Sequence, residues 1–304
     1  MTHSNLDSRD ARLTAGEPAA GRDAPWPVRE LAAGFVAQID GVPLDRGLSE
    51  SEREALQRCW ARFPVLVLPD QRLDVCAYER FAGEFGAFGH NPYLRGIDAH
   101  PHVVEVRREA HETTPIFGAS WHSDWSFLAT PPSATLLHAI HIPPVGGDTC
   151  FADATAAYAA LPPALRSRID GRRALHTAAP SYGPRGLFAR DDPSRSMKIV
   201  VSADADQTVS HPIVRTHPRT GRKGLFINHV YTVAIEGMAA AASRALLDTL
   251  FAHLIRPEFV YRHRWRADML VIWDNRCVLH YADGGYEGYL RLMHRITLAG
   301  EQPV

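Results

Sequence analysis

The sequence predicts a mainly β fold with flanking helices, of the β-sandwich or jelly-roll type. Helical patterns are concentrated before about residue 86, strand and turn patterns dominate afterwards, and one clear helix returns late in the chain. No internal repeat or low-complexity linker divides the 304 residues. We therefore expect a single domain over residues 26–304, preceded by a flexible leader at residues 1–25, which is polar and has no apolar core of a signal peptide.

The first part of this domain is predicted to hold two helices and a buried strand. Ser49 and Glu52 have the spacing of a capping box, apolar residues follow at helical intervals, and Pro64 ends the first helix. The short apolar run 65–68 is typical of a buried strand. A second helix with one aromatic face is predicted to stop at Gly86.

The later part is predicted to be mostly strand. Four segments have strand patterns: 134–142, 224–228, 259–265 (with alternating apolar residues) and 269–273. The late helix has its apolar stripe over 246–254 and ends before Pro257.

Bulk composition excludes several classes of function. The formal net charge of −1 argues against a nucleic-acid partner or an anionic-membrane partner. No apolar run approaches the ~18 residues that span a bilayer. The cysteines are scattered and form no C-x-x-C pair, which argues against a structural zinc site or a disulfide framework and favours a reducing cytoplasm: Cys59, Cys76, Cys150 and Cys277.

A candidate metal site begins at His122-Ser123-Asp124. Residues i and i+2 of a strand point to the same face, so both side chains would reach one metal ion. A second histidine from far along the chain would complete the two-histidine, one-carboxylate set of non-haem iron(II) oxygenases. The pattern is weak alone, because the chain has 16 histidines. His138 and His141, three residues apart on a strand, face opposite sides and are excluded as a pair.

Two arginines near the C-terminus form a second candidate group. Arg291 and Arg295 follow His280 in a strand-like segment. A guanidinium inside a barrel requires an anionic partner and matches a carboxylate in a bidentate manner. The alternative is a surface strand with solvated charges, which is more common for a lone arginine.

These segments together resemble the taurine/2-oxoglutarate dioxygenase family, over about residues 26–304. The matching segments are, in order, Trp121-His122-Ser123-Asp124, Gly146-Gly147-Asp148-Thr149, the stretch 211–228, Trp273-Asp274-Asn275-Arg276, His280-Tyr281-Ala282, and Arg291 with Arg295. The ordered spacing of six segments makes a chance match a poor explanation.

The resemblance implies a double-stranded β-helix, the cupin-like jelly roll, with iron(II), 2-oxoglutarate as cosubstrate and O2 as oxidant. It implies that His122, Asp124 and His280 bind the iron. Thr149 and Arg291 would hold the far carboxylate of 2-oxoglutarate, with Arg295 and Trp273 beside them. A small organic substrate would be hydroxylated or desaturated, with release of succinate and CO2.

The resemblance also assigns a substrate site for a small anionic molecule of the sulfonate, alkyl sulfate or carboxylate class. The implied substrate residues are His90, Tyr93, Gly118, Tyr231 and Arg295. Arg295 would meet the anionic head group. The taurine enzymes have asparagine where this chain has Gly118 and a smaller aliphatic residue where it has Trp125, which argues against taurine itself.

Two other classes of function fit the same residues less well. A non-catalytic jelly-roll binding protein would take up metal without turnover. A zinc hydrolase would use His122, Asp124 and His280 with an open position for water, but it leaves Thr149 and Arg291 unexplained. By resemblance we expect a cytoplasmic homo-oligomer, a dimer or tetramer.

Overall fold

The computed structural model describes residues 24–190 and 192–304. The predicted leader, residues 1–25, lies outside the described residues except for its last two positions. The helices and strands named below therefore refer to the described part of the chain.

The largest sheet has seven strands: β1 Val28–Ala32, β2 Val36–Ile39, β3 Val65–Leu68, β4 Val104–Arg108, β5 Ala134–His141, β13 Leu270–Asp274 and β15 Arg291–Leu298. Their order in the sheet is β1-β2-β3-β13-β5-β15-β4. Neighbouring strands are antiparallel except for the parallel pair β2 and β3.

Three smaller sheets complete the β structure, in the orders β12-β6-β14, β11-β7-β8 and β10-β9. Their bounds are β6 Thr149–Asp153, β7 Arg173–Thr177, β8 Thr208–Pro212, β9 Val214–Thr216, β10 Lys223–Leu225, β11 Thr232–Ile235, β12 Val260–His263 and β14 Val278–Ala282. The sheet β12-β6-β14 faces the seven-stranded sheet, and together they form the jelly roll.

Six α-helices flank the sheets: α1 Glu50–Arg62, α2 Val75–Phe85, α3 Ala154–Ala159, α4 Pro163–Ile169, α5 Ala179–Tyr182 and α6 Ala240–Leu254. None of these helices is long and apolar enough to span a bilayer.

Side chains along the central strands point alternately to the two faces of the large sheet, and each face packs into a different hydrophobic core. Leu66 and Leu68 of β3 pack under α1 and α2 in the first core. Val65 and Val67 point the other way, into the core between the two facing sheets, which also contains Trp273. Leu137 and Trp273 of this second core line the cavity of the candidate site described below.

The element predictions are largely confirmed, with shifts at the ends. The Ser49 capping box, α1, β3, α2 and α6 occur as expected. The strand predicted over 224–228 is shorter, Lys223–Leu225, and the one predicted over 259–265 is Val260–His263. Phe259 belongs instead to a short 3-10 turn over Pro257–Phe259, so this last strand begins one residue later than predicted.

Candidate active site

Two segments far apart in sequence meet at the candidate metal site. The backbone N–H of His122 donates to the carbonyl of His280 over 2.9 Å, and the N–H of His280 donates to the carbonyl of His122 over 2.8 Å. This isolated bridge joins the loop before β5 to the centre of β14. The two imidazole rings lie side by side, with centroids 4.2 Å apart.

The strand predicted over His122 to Asp124 is wrong in detail. Only His122 makes a β bridge, and a turn begins at Asp124. The turn continues through Trp125, whose φ is +43°. The turn, rather than strand alternation, brings the carboxylate of Asp124 back beside the two imidazoles.

The three predicted ligands nevertheless converge. The Oδ1 atom of Asp124 lies 3.5 Å from Nε2 of His122 and 3.8 Å from Nε2 of His280. Ligand atoms that share a metal ion at about 2.1 Å stand about 3 Å apart, so this group needs little closure to hold one. All three side chains are buried.

The protonation states of these groups suit a metal. The Nδ1 atom of His122 lies 2.7 Å from the carbonyl of Ser120, which accepts its proton and leaves the Nε2 lone pair facing Asp124. Burial, reinforced by neighbouring His122, holds the pKa of His280 well below its ordinary value, so this imidazole is neutral. Neutral imidazole and ionised carboxylate are the forms that bind divalent metals.

Asp124 is ionised despite its burial. Burial alone would raise the pKa of its carboxyl, but the guanidinium of Arg295, the largest opposing influence, holds the pKa well below the usual range. The Nη2 atom of Arg295 lies 2.6 Å from Oδ1, although its N–H groups are not aligned for a hydrogen bond. We therefore regard this contact as an ion pair set by charge rather than by hydrogen-bond geometry.

A second buried group of possible ligands, His217, Asp274 and Cys277, has a different character. The Nδ1 atom of His217 accepts backbone N–H groups, and its Nε2 lies 2.9 Å from Oδ2 of Asp274 as the donor. The guanidinium of Arg276 donates to both oxygens of Asp274 over 2.8 and 2.6 Å. The imidazole has no free lone pair and the carboxylate is already neutralised, so this group is an ion-pair network and not a metal site.

The residues predicted to surround 2-oxoglutarate border a small cavity of about 40 Å³ beside the histidines. Thr149, Trp273, Arg291 and Arg295 all line this cavity together with His122 and His280. The ring of Trp273 lies 4.6 Å from that of His280, and the hydroxyl of Thr149 accepts the indole N–H of Trp265 over 2.9 Å. The structure thus brings together all the residues that were predicted to surround 2-oxoglutarate.

Arg291 is a buried cation without an anionic partner among the described residues. Its one hydrogen bond to the described residues is long, 3.3 Å from Nη2 to the carbonyl of Gly147, and its Nε is buried with no hydrogen-bond partner. Burial lowers the pKa of Arg291, as expected for a cation whose charge is not compensated. Such a group is a receptor for a carboxylate.

The glycines of Gly146-Gly147 are required by close packing at this point. A Cβ on Gly146 would stand 2.4 Å from the carbonyl oxygen of Gly285, and φ is +66°. A Cβ on Gly147 would stand 3.2 Å from Nε of Arg291, and φ is +71°. Both positions need glycine for backbone conformation and for the approach to Arg291.

The predicted substrate residues divide between two cavities. Gly118 and Tyr231 line a cavity of about 430 Å³ next to His122, and the ring of Tyr231 lies edge-on to His122 with centroids 6.2 Å apart. His90 and Arg295 line another cavity, of about 800 Å³, together with Phe88, Val104 and Trp125. The structure does not bring His90 to His122.

Tyr93 lies behind the first of these cavities. Its ring stacks on Tyr182 at 4.7 Å with an interplanar angle of 10°, and Tyr182 lines the cavity itself. Burial raises the pKa of Tyr182 to about 12, so its phenol is neutral. Tyr93 therefore supports the cavity wall instead of facing a ligand.

Sequence reasoning missed several residues of this cavity wall: Phe117, Tyr182, Leu187 and Phe188. They lie in irregular segments with no periodic pattern, and the only signal for them is the density of aromatic residues around 181–188. It also missed the contact of Trp125 with Arg295, whose guanidinium carbon lies 5.1 Å from the indole centroid.

Comparisons with known proteins agree with this architecture. Residues 27–297 match the family model described as Taurine catabolism dioxygenase TauD, TfdA family. The chain is 36% identical over 261 residues to an alpha-ketoglutarate-dependent 2,4-dichlorophenoxyacetate dioxygenase of Cupriavidus pinatubonensis, covering 81% of this chain and 88% of that protein. It is 33% identical over 281 residues to an alpha-ketoglutarate-dependent sulfate ester dioxygenase of Pseudomonas putida, covering 91% and 90%.

Solved structures are similar over nearly the whole chain. A taurine dioxygenase from Burkholderia xenovorans superposes with a TM-score of 0.75 at 31% identity, covering 92% of both chains. AAD-2, solved in complex with Mn(II) and N-oxalylglycine, superposes with a TM-score of 0.73 at 31% identity, covering 91% of this chain and 98% of that one.

Proposed function

The chain belongs to the taurine catabolism dioxygenase TauD, TfdA family and is an iron(II)- and 2-oxoglutarate-dependent dioxygenase, and from this we propose which of its residues do the work and which substrates it takes. We infer that His122, Asp124 and His280 hold the iron. The observation that carries this assignment is the convergence of two imidazole Nε2 atoms, at 3.5 and 3.8 Å, on one buried, ionised carboxylate oxygen.

We infer that 2-oxoglutarate binds in the small cavity with its far carboxylate on Arg291 and Thr149. The uncompensated charge of Arg291 and its unpartnered Nε support this assignment. The keto-acid end would then face His122 and His280, which line the same cavity. Leu137 and Trp273 form its apolar wall and exclude water.

When bound, iron(II) and 2-oxoglutarate would let O2 act as the oxidant: one oxygen atom enters the succinate that forms with CO2, and the other oxidises a substrate C–H bond. The chain's own residues prepare this chemistry. Ser120 keeps His122 in the tautomer that binds metal, and Arg295 keeps Asp124 ionised. Asp124 also provides the carboxylate that favours hydroxylation or desaturation over halogenation.

We propose that the substrate has an apolar aryl or alkyl body and one anionic head group. The cavity of about 430 Å³ has the size of a small-molecule site and is lined by aromatic and aliphatic side chains, with no Lys, Arg, Asp or Glu among the described residues that line it. Phe117, Gly118 and His122 are shared with the cosubstrate cavity, which Arg295 also lines. The buried and unpartnered Nε of Arg295 is a donor for a sulfate, sulfonate or carboxylate.

This lining argues against taurine. An ammonium group in the cavity would find no carboxylate to compensate its charge, and burying an unpaired cation is costly. The named activities of relatives, on a phenoxyacetate and on sulfate esters, fit the apolar body and single anion better. Because these relatives are enzymes of one reaction class, nothing favours the binding-protein or zinc-hydrolase alternatives.

The experiment is succinate formation from 2-oxoglutarate with iron(II) and ascorbate, measured across alkyl sulfates, aryloxy acids, longer sulfonates and taurine. We expect stimulation above the uncoupled background by an alkyl sulfate or an aryloxy acid, and none by taurine. Taurine as the best substrate would refute the substrate proposal. Loss of metal binding in His122→Ala, seen as loss of the visible band of the anaerobic iron–cosubstrate complex, tests the ligand assignment separately.

We also propose that the enzyme is cytoplasmic and homo-oligomeric. Three of its cysteines are buried and none is paired, which supports a reducing compartment. Light scattering coupled to size-exclusion chromatography tests the oligomeric state, with a monomeric mass as the refuting result.

A further inference from the structure

The carboxylate of Asp124 has two oxygens in different environments. Oδ1 faces the two histidines and Arg295. Oδ2 accepts a hydrogen bond of 2.6 Å from the hydroxyl of Thr135 on β5. Both residues are at most 1% exposed, so this bond is shielded from water.

Thr135 is in turn held by Asn275. The side-chain amide of Asn275 donates from Nδ2 to the hydroxyl of Thr135 over 2.9 Å. The Oδ1 atom of the same amide accepts the indole N–H of Trp273 over 3.0 Å and lies 3.4 Å from the backbone N–H of Asp124. The backbone carbonyl of Asn275 accepts the hydroxyl of Ser123 over 2.7 Å.

The direction of this chain of hydrogen bonds is fixed by chemistry. An indole N–H can only donate, so the amide atom that faces Trp273 must be the oxygen of Asn275. The amide NH2 must then face Thr135, whose hydroxyl accepts it. The single hydroxyl proton of Thr135 is therefore left for Oδ2 of Asp124.

The residues at the far end of this series of hydrogen bonds, Trp273 and Asn275, lie in rigid surroundings. Trp273 is 1% exposed and lies in the core between the two sheets. The neighbours of Asn275 in sequence, Asp274 and Arg276, are joined to each other and to His217 in the buried ion-pair network. Asn275 thus extends from a rigid segment, which gives its amide little freedom to rotate.

We propose that Thr135 and Asn275 are positioning residues that fix the rotation of the Asp124 carboxylate, so that Oδ1 alone is presented to the metal. Holding Oδ2 in a hydrogen bond disfavours bidentate binding and keeps coordination positions free for the cosubstrate and O2. This inference rests on the proposed ligand role of Asp124. Hydrogen-bonding partners of metal ligands characteristically tune affinity by 10- to 100-fold.

A purely structural role is the competing explanation, in which the two side chains only satisfy buried polar atoms. The two explanations differ in what they predict for metal binding by the folded protein. A structural role lowers stability and leaves the metal affinity of the folded fraction unchanged. A positioning role lowers metal affinity and is restored by any side chain that returns the hydroxyl.

The test uses metal-free full-length protein titrated with iron(II) under anaerobic conditions by calorimetry, without cosubstrate or substrate. Thr135→Val removes the hydroxyl at nearly constant shape, Thr135→Ser retains it, and Asn275→Leu removes the donor behind it. Thr297→Val is the matched control, because Thr297 pairs with Thr135 across β5 and β15, is buried, and makes no side-chain hydrogen bond to the described residues. Asp124→Ala reports on the ligand itself, and thermal melting of each metal-free variant reports on folding.

We expect iron(II) affinity about 10- to 100-fold weaker in Thr135→Val and Asn275→Leu, and within about threefold of the native protein in Thr135→Ser and Thr297→Val. If either Thr135→Val or Asn275→Leu, once shown to fold, binds within about threefold of native while Asp124→Ala loses binding, the positioning role is refuted and the ligand assignment stands. If Asp124→Ala binds as the native protein does, the ligand assignment itself is refuted. Should Thr135→Val fail to fold, Asn275→Leu and Thr135→Ser decide the matter by the same criteria.

Discussion

Replacing Arg291 by methionine tests the proposed cosubstrate site, because the substitution should raise the stability of the protein and weaken its binding of 2-oxoglutarate. Arg291 is 5% exposed, has no carboxylate partner among the described residues, and donates one long hydrogen bond. Methionine keeps much of the side-chain volume and removes the charge. The protein should therefore become more stable when free of cosubstrate and should bind 2-oxoglutarate much more weakly.

The two magnitudes follow from the surroundings of the guanidinium. Replacement of a buried ion pair by apolar groups of similar volume is often neutral or stabilising by about 1–4 kcal/mol, and an arginine that has no ion pair to lose should lie toward the stabilising end. Removing one partner of a buried carboxylate–guanidinium pair costs about 2–5 kcal/mol in binding, which corresponds to about 30-fold or more in Kd. Arg291→Lys is the control, because it keeps the charge and loses the bidentate geometry.

The assays are chemical denaturation of the cosubstrate-free protein and titration of the metal-loaded protein with 2-oxoglutarate or N-oxalylglycine under anaerobic conditions. We expect a higher unfolding free energy and a weakened Kd in the methionine variant, with the lysine variant between it and the native protein in Kd. A variant that loses stability and keeps its affinity would show that Arg291 has a structural partner and that the far carboxylate binds elsewhere.

Three further predictions concern other parts of the site. Burial lowers the pKa of His263 to about 4, whereas in the unfolded chain this side chain takes up its proton near pH 6.5, so the folded state should lose stability as pH falls between these values. From about pH 7.5 to about pH 5, the free energy of unfolding should fall by about 1–2 kcal/mol more in the native protein than in His263→Phe. An equal pH dependence of the two proteins in chemical denaturation would contradict this. Gly118 has φ +79°, and the Cβ of Gly118→Asn would lie about 3.5 Å from Cε1 of His122. This variant should lower kcat/KM for aryl substrates by about tenfold relative to kcat/KM for a short alkyl sulfonate, and a native ratio of the two values would contradict this. Arg276→Met should cost about 3–5 kcal/mol of stability because it leaves the buried Asp274 carboxylate with His217 as its remaining side-chain partner; an unchanged free energy of unfolding in chemical denaturation would contradict this.

Local patterns were sufficient for much of the scaffold. The capping box at Ser49, the apolar stripe of α6 and the run at β3 are set by residues a few positions apart, and they occur as predicted. Strand ends were less predictable, since pairing with a neighbour decides them: β12 ends at His263 because its partner β6 begins at Thr149.

The candidate site depended on contacts that no local pattern contains. The reciprocal backbone bridge between His122 and His280 joins distant segments, and only the resemblance to a family pointed to it. The prediction that His122 and Asp124 lie side by side is confirmed, but the strand that was assumed to cause this is absent. A turn with positive φ at Trp125 brings the two side chains together instead. The ordered segments were recognisable because chemistry fixes their residue types.

The substrate cavity was the least predictable part. Its wall comes from irregular segments around Phe117 and Tyr182, where aromatic packing and not periodicity decides the shape. The resemblance to the family grouped His90 with Tyr93, yet the two side chains lie in different surroundings, because Tyr93 turns into the aromatic cluster and His90 is exposed.

The most direct test of the central claim is mass spectrometry of the succinate formed under isotope-labelled O2, with the native protein and Asp124→Ala compared at equal folded concentration and with an alkyl sulfate or aryloxy acid present. We predict succinate that carries one labelled oxygen, a hydroxylated or desaturated product in step with it, and neither with the Asp124 variant. Succinate without label, or equal labelled succinate from the variant, would contradict an oxidation centred on His122, Asp124 and His280.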